Sequence, residues 1–513
     1  MKRTLLAALL LWIALTRAHA ATAPADGGRA RPIRVAAKPF TESYLLAEVL
    51  AQLVEAAGAA PVERRFGIGG PQLVIDGLRA GELDVDVNYT GALAHLYLPK
   101  VHAPSDDALR AVLRQQGLVM SRSLGFNNTY AIAVRSDTAQ KLRLSTISDL
   151  VGHSGLRGAF TPDFLNYEDG FYRLQQVYGV RLDNIRPIQH ALAYQALASG
   201  SIDLTDAYTT DGALPLFGLT LLRDDRDFFP TYYGVIVMRA EQVARWPQLW
   251  ARFCQLEGRI SDAEMLRLNA EIDVKHRPVA EVAREYLISQ GLVQASAAAP
   301  ARTGSLRDDL WTSTVEHQLL VASSLLLSCL VGIPIGILAI RFRRAGPLLI
   351  AITGLLQTIP SLALLCFLIP LLGIGALPTI CALFLYGLLP IAQSTAAGLL
   401  SLDARLIETA KILGLGPRQR LRLIELPLAS PAILAGIKTT AVINVATATI
   451  AALIGAGGYG RFITAGLAMN DMRLIMKGAI PTALTALIWH ALFELLSRKL
   501  APHGQVGERG ERS

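Results

Sequence analysis

Cysteine is scarce in this chain, with four residues among 513. They are Cys254, Cys329, Cys366 and Cys381, and the last three lie inside apolar segments. No spacing between them, or between cysteine and histidine, matches a disulfide framework or a metal site. We therefore expect neither a disulfide-stabilised domain nor a metal centre, and we expect no cofactor.

The chain also lacks the motifs of ATP hydrolysis and of common hydrolases. No Gly-x-x-x-x-Gly-Lys-Ser/Thr sequence occurs, so any ATP must be hydrolysed by a separate subunit. The first half contains no nucleophile elbow, and we interpret His153 and His190 as ordinary structural residues. The net charge of +8 comes without a basic patch interleaved with aromatic residues, which argues against nucleic-acid binding. The sequence therefore predicts that the protein is not an enzyme.

Charge is rare in the second half of the chain, between about residues 319 and 497. Five apolar segments there are long enough for a bilayer, which needs about 20 residues. They are approximately 317–340, 347–371, 376–398, 432–455 and 477–497. Basic residues follow the first span at Arg341 and Arg343. Several more lie within residues 401–430, and Arg498 and Lys499 follow the fifth span. The positive-inside rule then places the first half and residues 457–475 outside, and it disfavours the alternative of a buried soluble bundle.

The N-terminus has the pattern of a secretory signal peptide. Lys2 and Arg3 precede a short apolar stretch over residues 5–15, and Ala18-His19-Ala20 is a small-x-small cleavage pattern. We predict a signal peptide over residues 1–20, with an uncleaved anchor as the alternative. Either interpretation exports the residues that follow.

The basic loop at 401–430 contains the most specific motif of the chain. Residues 408–414 read Glu-Thr-Ala-Lys-Ile-Leu-Gly, and residues 424–427 read Ile-Glu-Leu-Pro. A short helix would end at Gly414, Pro417 would begin the next helix, and Arg418, Arg420 and Arg422 would give that helix a charged face. The simplest alternative is a solvated connector held by positive charge.

This spacing resembles the EAA loop of ABC importer permeases, with Thr409 in place of the middle alanine. The resemblance implies that the loop docks on a cytoplasmic ABC ATPase. It also implies two permease domains per importer, and a homodimer is the simplest assembly. The residues that would couple the permease to the ATPase are Glu408, Ala410, Gly414, Ile424, Leu426 and Pro427.

From about residue 33 to residue 292, short apolar strands alternate with amphipathic helices, which is typical of an α/β domain. An internal echo lies within it, because residues 81–89 and 200–208 both begin with Gly, have Asp at the fourth position and end with Tyr. Ligands of open α/β sheets bind at the carboxyl ends of strands. We therefore predict a two-lobed binding domain with Tyr89 and Tyr208 facing each other across its cleft.

Five stretches of this half resemble the solute-binding proteins for quaternary ammonium osmoprotectants such as glycine betaine, choline and carnitine. They are residues 38–42, 86–91, 126–131, 206–212 and 228–232. In that family a cage of tyrosines surrounds a trimethylammonium group, which has no N–H to donate and is selected by cation–π attraction. Carried over by position, the ligand-binding residues would be Tyr89, Tyr130, Tyr208, Tyr232, Lys38, Thr90 and Asn128.

Two departures from the family weaken the expected site for a ligand carboxylate. Tyr167 stands about where an arginine is expected, and Ala92 replaces a common threonine. The sequence therefore leaves choline or a different solute as possible ligands besides glycine betaine. The alternatives to an osmoprotectant importer are an importer of another small cation or amino acid and, more remotely, a transmembrane sensor.

The sequence thus predicts a two-lobed α/β domain of the periplasmic-binding-protein type followed by an all-α permease domain of about five helices. The predicted boundaries are 1–20 for the signal peptide, 31–294 for the binding domain, 295–310 for a linker, 311–500 for the permease domain and 501–513 for a disordered tail. We expect an inner-membrane protein with its binding domain in the periplasm or outside. The expected partners are the ATPase, a second copy, the solute and membrane lipid.

Overall fold

A computed structural model describes residues 31–98, 105–166, 170–294, 306–342, 344–469 and 471–500. The predicted signal peptide, the C-terminal tail, residues 295–305 of the predicted linker, and Tyr167 lie outside the described residues. The described chain divides into two compact units, the first formed mainly by residues before 305 and the second mainly by residues after it.

The first unit contains two five-stranded sheets, each with helices around it. The strands and helices leading through the first sheet are β1 (Ile33–Ala37), α1 (Thr41–Ala57), β2 (Val62–Phe66), α2 (Pro71–Arg79), β3 (Val85–Tyr89), α3 (Thr90–Tyr97), α4 (Asp106–Gln115) and β4 (Leu118–Asn127). Every residue of β1 and β3 is buried, as expected of strands covered by helices on both faces.

The chain then builds the second sheet and returns to the first. The second lobe comprises β5 (Tyr130–Arg135), α5 (Ser136–Leu142), β6 (Arg157–Phe160), α6 (Pro162–Asn166), α7 (Phe171–Tyr178), β7 (Asn184–Pro187), α8 (His190–Ala198), β8 (Leu204–Tyr208) and β9 (Leu219–Leu222). The returning elements are β10 (Tyr233–Arg239), α9 (Ala240–Arg245), α10 (Pro247–Cys254), α11 (Asp262–Asp273) and α12 (Val279–Ser289).

The two sheets share one topology. Their strand orders are β2-β1-β3-β10-β4 and β7-β6-β8-β5-β9. In each, three parallel strands are followed by an antiparallel strand that arrives from the other lobe. The chain crosses between lobes twice, from β4 to β5 and from β9 to β10, which confirms the predicted two-lobed α/β architecture.

The repeated sequence pattern at residues 81–89 and 200–208 corresponds to matching contacts at the start of β3 and β8, at the opposite strand end from the tyrosines. In the first lobe, the Arg34 guanidinium binds Asp84 at 3.0 Å and also donates to the Gly81 carbonyl. In the second lobe, Arg157 binds Asp203 at 2.8 Å and donates to the Gly200 carbonyl in the same way. Both glycines have positive φ, +76° and +75°, a conformation that a side chain disfavours. Each Gly-x-x-Asp sequence thus fastens the entry of the strand that ends in a tyrosine.

The second unit is helical. Its helices are α13 (Leu306–Arg341), α14 (Gly346–Thr358), α15 (Ser361–Leu372), α16 (Ala376–Leu400), α17 (Ala404–Ile412), α18 (Pro417–Arg420), α19 (Leu426–Thr447), α20 (Gly460–Ala468) and α21 (Met472–Leu500). Four segments are long and apolar enough to cross a membrane, and the bent pair α14 and α15 would make a fifth if it is one span. This agrees with the prediction of about five spans.

The predicted second span, 347–371, is not one continuous helix. It breaks into α14 and α15, which meet at an angle of 95°. Proline has no backbone N–H and pushes the residue before it out of the helical region, and Ile359 before Pro360 has ψ 125°. The hydropathy pattern could not show this break because both sides of it are equally apolar.

The predicted fourth span also has different bounds. A wide π turn over Leu421–Glu425 runs directly into α19 at Leu426, six residues before the predicted start at 432. The helix ends at Thr447, and a 3₁₀ turn follows over Ile450–Ile454. The end of the predicted coupling loop is therefore continuous with a membrane helix.

Small residues let the central helices of this unit approach closely. A Cβ added at Gly387 of α16 would lie 2.4 Å from the Ser328 hydroxyl of α13. That hydroxyl donates to the Phe384 carbonyl at 3.0 Å, and Asn444 of α19 donates to Ser324 of α13 at the same distance. Close backbone approach and interhelical hydrogen bonds replace the hydrophobic driving force that is missing in lipid.

Candidate functional site: an aromatic cavity in the binding domain

The strand ends of the two lobes bring aromatic side chains to one cavity of about 170 Å³. Tyr89 is the last residue of β3 and Tyr208 the last residue of β8. Tyr130 opens β5 and Tyr232 precedes β10, so these two lie at the crossovers between lobes. The described residues that line the cavity are Lys38, Pro39, Phe40, Gly70, Pro71, Tyr89, Ala92, Asn128, Tyr130, Tyr208 and Tyr232.

The rings form a continuous aromatic wall. Tyr130 and Tyr208 are register partners in adjacent strands, with ring centres 5.2 Å apart. Tyr232 meets the Tyr130 ring edge-on at 5.6 Å. Phe40 contacts Tyr89 at 6.1 Å and Tyr208 at 6.5 Å, so it connects the two echoed tyrosines. The sequence motif containing Phe40 was recognised, but its ring was not predicted to line the site.

Three neighbours fix the position of Tyr232. Its hydroxyl lies 2.9 Å from the His95 ring nitrogen. A Cβ added at Gly91 would lie 2.5 Å from the Tyr232 ring, so only glycine fits beneath it. The Thr90 hydroxyl donates to the Thr231 carbonyl and accepts from the Tyr233 N–H. Among the predicted ligand-binding residues, Thr90 is the one that does not line the cavity, and its hydroxyl is engaged in holding the Tyr232 segment.

Lys38 lines the cavity, but its ammonium group is committed elsewhere. It donates to both carboxylate oxygens of Asp86, at 2.8 and 3.1 Å, and to the Val87 carbonyl at 2.6 Å. Both side chains are almost fully buried. An ammonium has three N–H bonds, so this geometry leaves none for a ligand carboxylate.

Glu42 is a buried carboxyl group that accepts four hydrogen bonds from other side chains. Its carboxylate accepts hydrogen bonds from Tyr89 (2.7 Å), Asn128 (2.9 Å), Thr210 (2.6 Å) and Asn269 (3.0 Å). Burial raises its pKa, and the four donors oppose that shift. No lysine or arginine of the described chain forms an ion pair with it. The sequence motif contains Glu42, but nothing in the sequence showed that donors from both lobes converge on it.

Further acidic groups line a second cavity, which Glu42 and Tyr208 also line. The His190 and Tyr208 ring centres are 4.7 Å apart with the ring planes tilted by 46°, and His190 Nε2 lies 3.0 Å from Asp211. Although burial opposes ionisation of both partners, their interaction raises the pKa of His190 and lowers that of Asp211. Asp273 accepts a hydrogen bond from Thr41 at 2.5 Å. Burial, and then the charge of Asp211, raise the pKa of Asp273 to about 7.

The predicted coupling residues lie on consecutive elements of the helical unit. Glu408 and Ala410 belong to α17, which Asp403 caps by accepting from the Arg405 N–H. Gly414 ends this turn with φ +78°, and Pro417 begins α18 as predicted. Ile424 lies in the π turn, and Leu426 and Pro427 open α19.

The surface of this loop is both charged and apolar. Four large apolar side chains of the loop are at least half exposed in the chain: Leu406, Ile412, Leu413 and Leu423. Glu408 and Arg418 are exposed beside them, whereas Ala410 is buried. Exposed apolar side chains rimmed by charge are typical of a surface that binds another protein.

This combination is typical of a transporter component in which a two-lobed binding domain precedes a membrane domain with an exposed charged and apolar loop. Residues 31–289 match the family described as the substrate binding domain of ABC-type glycine betaine transport systems. Residues 332–503 match the family described as the inner membrane component of binding-protein-dependent transport systems. The chain therefore belongs to the ABC importer family of glycine betaine type, with its binding domain and permease domain in one polypeptide.

Several named proteins are similar to parts of the chain. The choline transport system permease protein OpuBB of Bacillus subtilis is 39% identical over 196 residues, which are 38% of this chain and 90% of that protein. The ergothioneine transport permease/ergothioneine binding protein EgtU of Helicobacter pylori is 32% identical over 274 residues, 52% of this chain and 49% of that protein. The crystal structure of a glycine betaine/carnitine/choline ABC transporter is 30% identical to this chain; the match covers 51% of this chain and 99% of that one, with a TM-score of 0.44.

The protein is thus a transporter component rather than an enzyme, and in such systems the ATPase is a separate subunit. It is integral to the membrane. The resemblance recognised in the sequence is confirmed for both halves of the chain.

The raised pKa of Asp273 predicts a pH-dependent stability effect. In the folded protein this carboxyl keeps its proton up to about pH 7, whereas the ordinary value is 3.8. The folded state then binds more protons than the unfolded state between those values, so the contribution of this group to stability falls as pH rises from about 4 to 7. Asn at this position can still accept from Thr41 but cannot ionise. We expect the stability of Asp273→Asn relative to the unmodified chain to rise between pH 5 and pH 8, measured as melting temperatures of the full chain; a pH-independent difference would contradict the assignment.

Proposed function

We propose that the protein imports a quaternary ammonium osmoprotectant, such as choline, glycine betaine or carnitine, by capturing it in the aromatic cavity. The observation that carries this proposal is the set of four tyrosines, Tyr89, Tyr130, Tyr208 and Tyr232, beside the buried carboxylate of Glu42. A quaternary ammonium ion offers no hydrogen-bond donor, but aromatic faces attract it with about 0.5–2 kcal/mol per contact. A buried anion adds long-range attraction because the low local dielectric screens it weakly.

Choline, glycine betaine and carnitine share the trimethylammonium group, so the site must distinguish them by their other functional groups. The Lys38 ammonium group already donates its hydrogen bonds to Asp86 and Val87, so it is not available to bind the carboxylate of a solute. The backbone at Gly70 and Pro71, where α2 begins, lines the cavity and offers a helix N-terminus instead. All three compounds therefore stay candidates, and a different small cation, an amino acid or ergothioneine, the compound named for EgtU, is the alternative.

The coupling loop supports a role in energy transduction. We infer that α17, Gly414 and α18 dock on a cytoplasmic ABC ATPase through the exposed apolar residues described above, with Glu408, Ala410, Ile424, Leu426 and Pro427 shaping that surface. ABC importers of this type use two permease domains, so we propose that two copies of this chain form a homodimer in the lipid bilayer.

We propose that the protein lies in the bacterial inner membrane with its binding domain on the outer, periplasmic side. The basic loop at 401–430 would face the cytoplasm, in keeping with the positive-inside rule. The boundaries proposed are those expected from the sequence: a signal peptide over 1–20, a binding domain over 31–294, a linker over 295–310, a permease domain over 311–500 and a tail over 501–513. A linker would keep the binding domain at a high effective concentration near its own permease domain.

The orientation predicts opposite accessibility of two exposed positions. Arg418 lies in the basic loop and Met472, which is 67% exposed, begins α21. In a background without the four native cysteines, Arg418→Cys should react with a membrane-impermeant maleimide only in inverted vesicles. Met472→Cys should react only in right-side-out spheroplasts. Labelling of both positions from one side would reject the topology.

Alanine replacement of each cage tyrosine should weaken the binding of the cation. We expect a loss of roughly 1–2 kcal/mol, about 5- to 30-fold in Kd, for Tyr89, Tyr130, Tyr208 or Tyr232. Phenylalanine should cost less, because the ring face is kept; in Tyr89→Phe the donor to Glu42 is lost as well. The measurement is calorimetric titration of choline into the full chain in detergent. Tyr233→Ala is the matched control, since Tyr233 is adjacent to Tyr232 but exposed and outside the cavity lining. Unchanged affinity in all four cage variants would remove the basis of the proposal.

Replacing Gly414 should uncouple solute binding from ATP hydrolysis. A Cβ at this position would meet no atom within 4 Å, so the effect of Gly414→Val comes from its φ of +78°. A β-branched residue is strained there, at a cost of about 1–2 kcal/mol for the left-handed backbone, and relieving that strain would move the loop. We expect solute binding to persist while transport and solute-stimulated ATPase activity are abolished in the reconstituted importer. Gly416→Ala, at φ −61°, is the control that should retain coupling; normal stimulation in Gly414→Val would refute the role of the turn.

A further inference from the structure

Glu42 fixes the orientation of two asparagine side chains. The amide nitrogen of Asn128 donates to one oxygen of the carboxylate, and the amide nitrogen of Asn269 donates to the other. Asn269 also donates to the Thr210 carbonyl at 2.8 Å. A carboxylate accepts but does not donate when ionised, so each amide presents its nitrogen to Glu42 and must direct its oxygen elsewhere.

The two amide oxygens, Asn128 Oδ1 and Asn269 Oδ1, have no hydrogen-bond partner within the described part of the chain, although both are buried. Both residues line a second cavity beside the tyrosine cage, and Asn128 lines the cage as well. A buried acceptor without a partner is unfavourable, and native proteins rarely leave such groups unsatisfied. The pair is therefore an acceptor site already held in place before a ligand arrives.

The charges around this acceptor pair favour a donor and disfavour an anion. Asp211 and Asp273 line the same second cavity, together with Glu42. His190 can neutralise Asp211 only, so the lining carries excess negative charge when Glu42 is ionised, and more above about pH 7, where Asp273 also loses its proton. A ligand carboxylate entering here would meet repulsion and unpaired acceptors, whereas a hydroxyl group would supply the missing hydrogen.

Resting on the proposed function, we propose that the hydroxyl group of the transported cation donates its one hydrogen to an amide oxygen of this pair, that of Asn128, which lines both cavities. The tyrosine cage would hold the trimethylammonium end, and the hydroxyl would lie at the acceptor pair. The site would then select hydroxylated quaternary ammonium compounds of the choline type over glycine betaine, whose second group is an anion without a donor.

The test compares choline with ethyltrimethylammonium, which has the same carbon and nitrogen skeleton without the hydroxyl group. Both are titrated calorimetrically into the full chain in detergent, with glycine betaine as a third ligand. We expect choline to bind at least about tenfold more tightly than ethyltrimethylammonium. The latter has no hydroxyl group and would leave the amide oxygen of Asn128 buried and without a hydrogen-bond donor. Glycine betaine should also bind more weakly than choline.

Two variants locate the effect. Asn128→Leu removes the amide oxygen and one donor to Glu42, and it should reduce the choline preference to about threefold or less. Thr210→Val removes a different donor to Glu42 without touching an unpaired acceptor, so its absolute affinities can change while the preference stays near that of the unmodified chain. Equal loss of preference in both variants would assign the effect to the Glu42 network rather than to the acceptor.

The unmodified chain alone can overturn the inference, whatever the variants do. Equal affinity for choline and ethyltrimethylammonium, or tighter binding of glycine betaine than of choline, would reject the acceptor pair while leaving the tyrosine cage in place. Binding of neither cation would reject the cage itself, and the acceptor role with it. A tenfold preference that survives Asn128→Leu would also reject the acceptor role of Asn128.

Discussion

The binding domain depends on one buried carboxylate that has to be satisfied without a cationic partner. An ionised carboxylate away from water is costly unless several donors surround it. The donors to Glu42 come from the strand end of the first lobe at Tyr89, from helix α11 at Asn269, from the crossover at Asn128 and from the second lobe at Thr210. Separating the lobes would remove some of these donors, so the same group that supplies negative charge to the cavity also links its walls.

A second buried charge, Lys38, illustrates the opposite solution. Asp86 and a backbone carbonyl complete its hydrogen bonds, so its positive charge is cancelled beside the cavity rather than offered to a ligand. The result is an aromatic cavity whose one charged residue among the described lining, Lys38, is neutralised, with the Glu42 carboxyl group bound to the hydroxyl of its Tyr89. That combination suits a cation that cannot hydrogen-bond.

The repeat in the sequence and the pseudo-symmetry of the lobes have one origin. In each lobe an arginine near the start of one strand donates hydrogen bonds to two groups. These are the aspartate that precedes the neighbouring strand and the carbonyl of the glycine three residues before that aspartate. These hydrogen bonds set the register of β3 and β8, and each strand then delivers a tyrosine at its far end. The tyrosines from the crossovers complete the cage because each crossover passes beside both sheets.

Local patterns in the sequence determined the fold class, the two halves, the strand ends carrying Tyr89 and Tyr208, and the turn at Gly414, because these follow from periodicity, hydropathy and backbone preferences of neighbouring residues. The 95° break at Pro360 and the early start of α19 could not be predicted from hydropathy, because hydropathy does not show where a helix bends within an apolar segment. The roles of Lys38, Thr90, Glu42 and Asn269 were decided only by the tertiary structure. Their partners lie from 47 to 227 residues away in the chain, and no local pattern records which side chain a buried charge will meet when the lobes fold together.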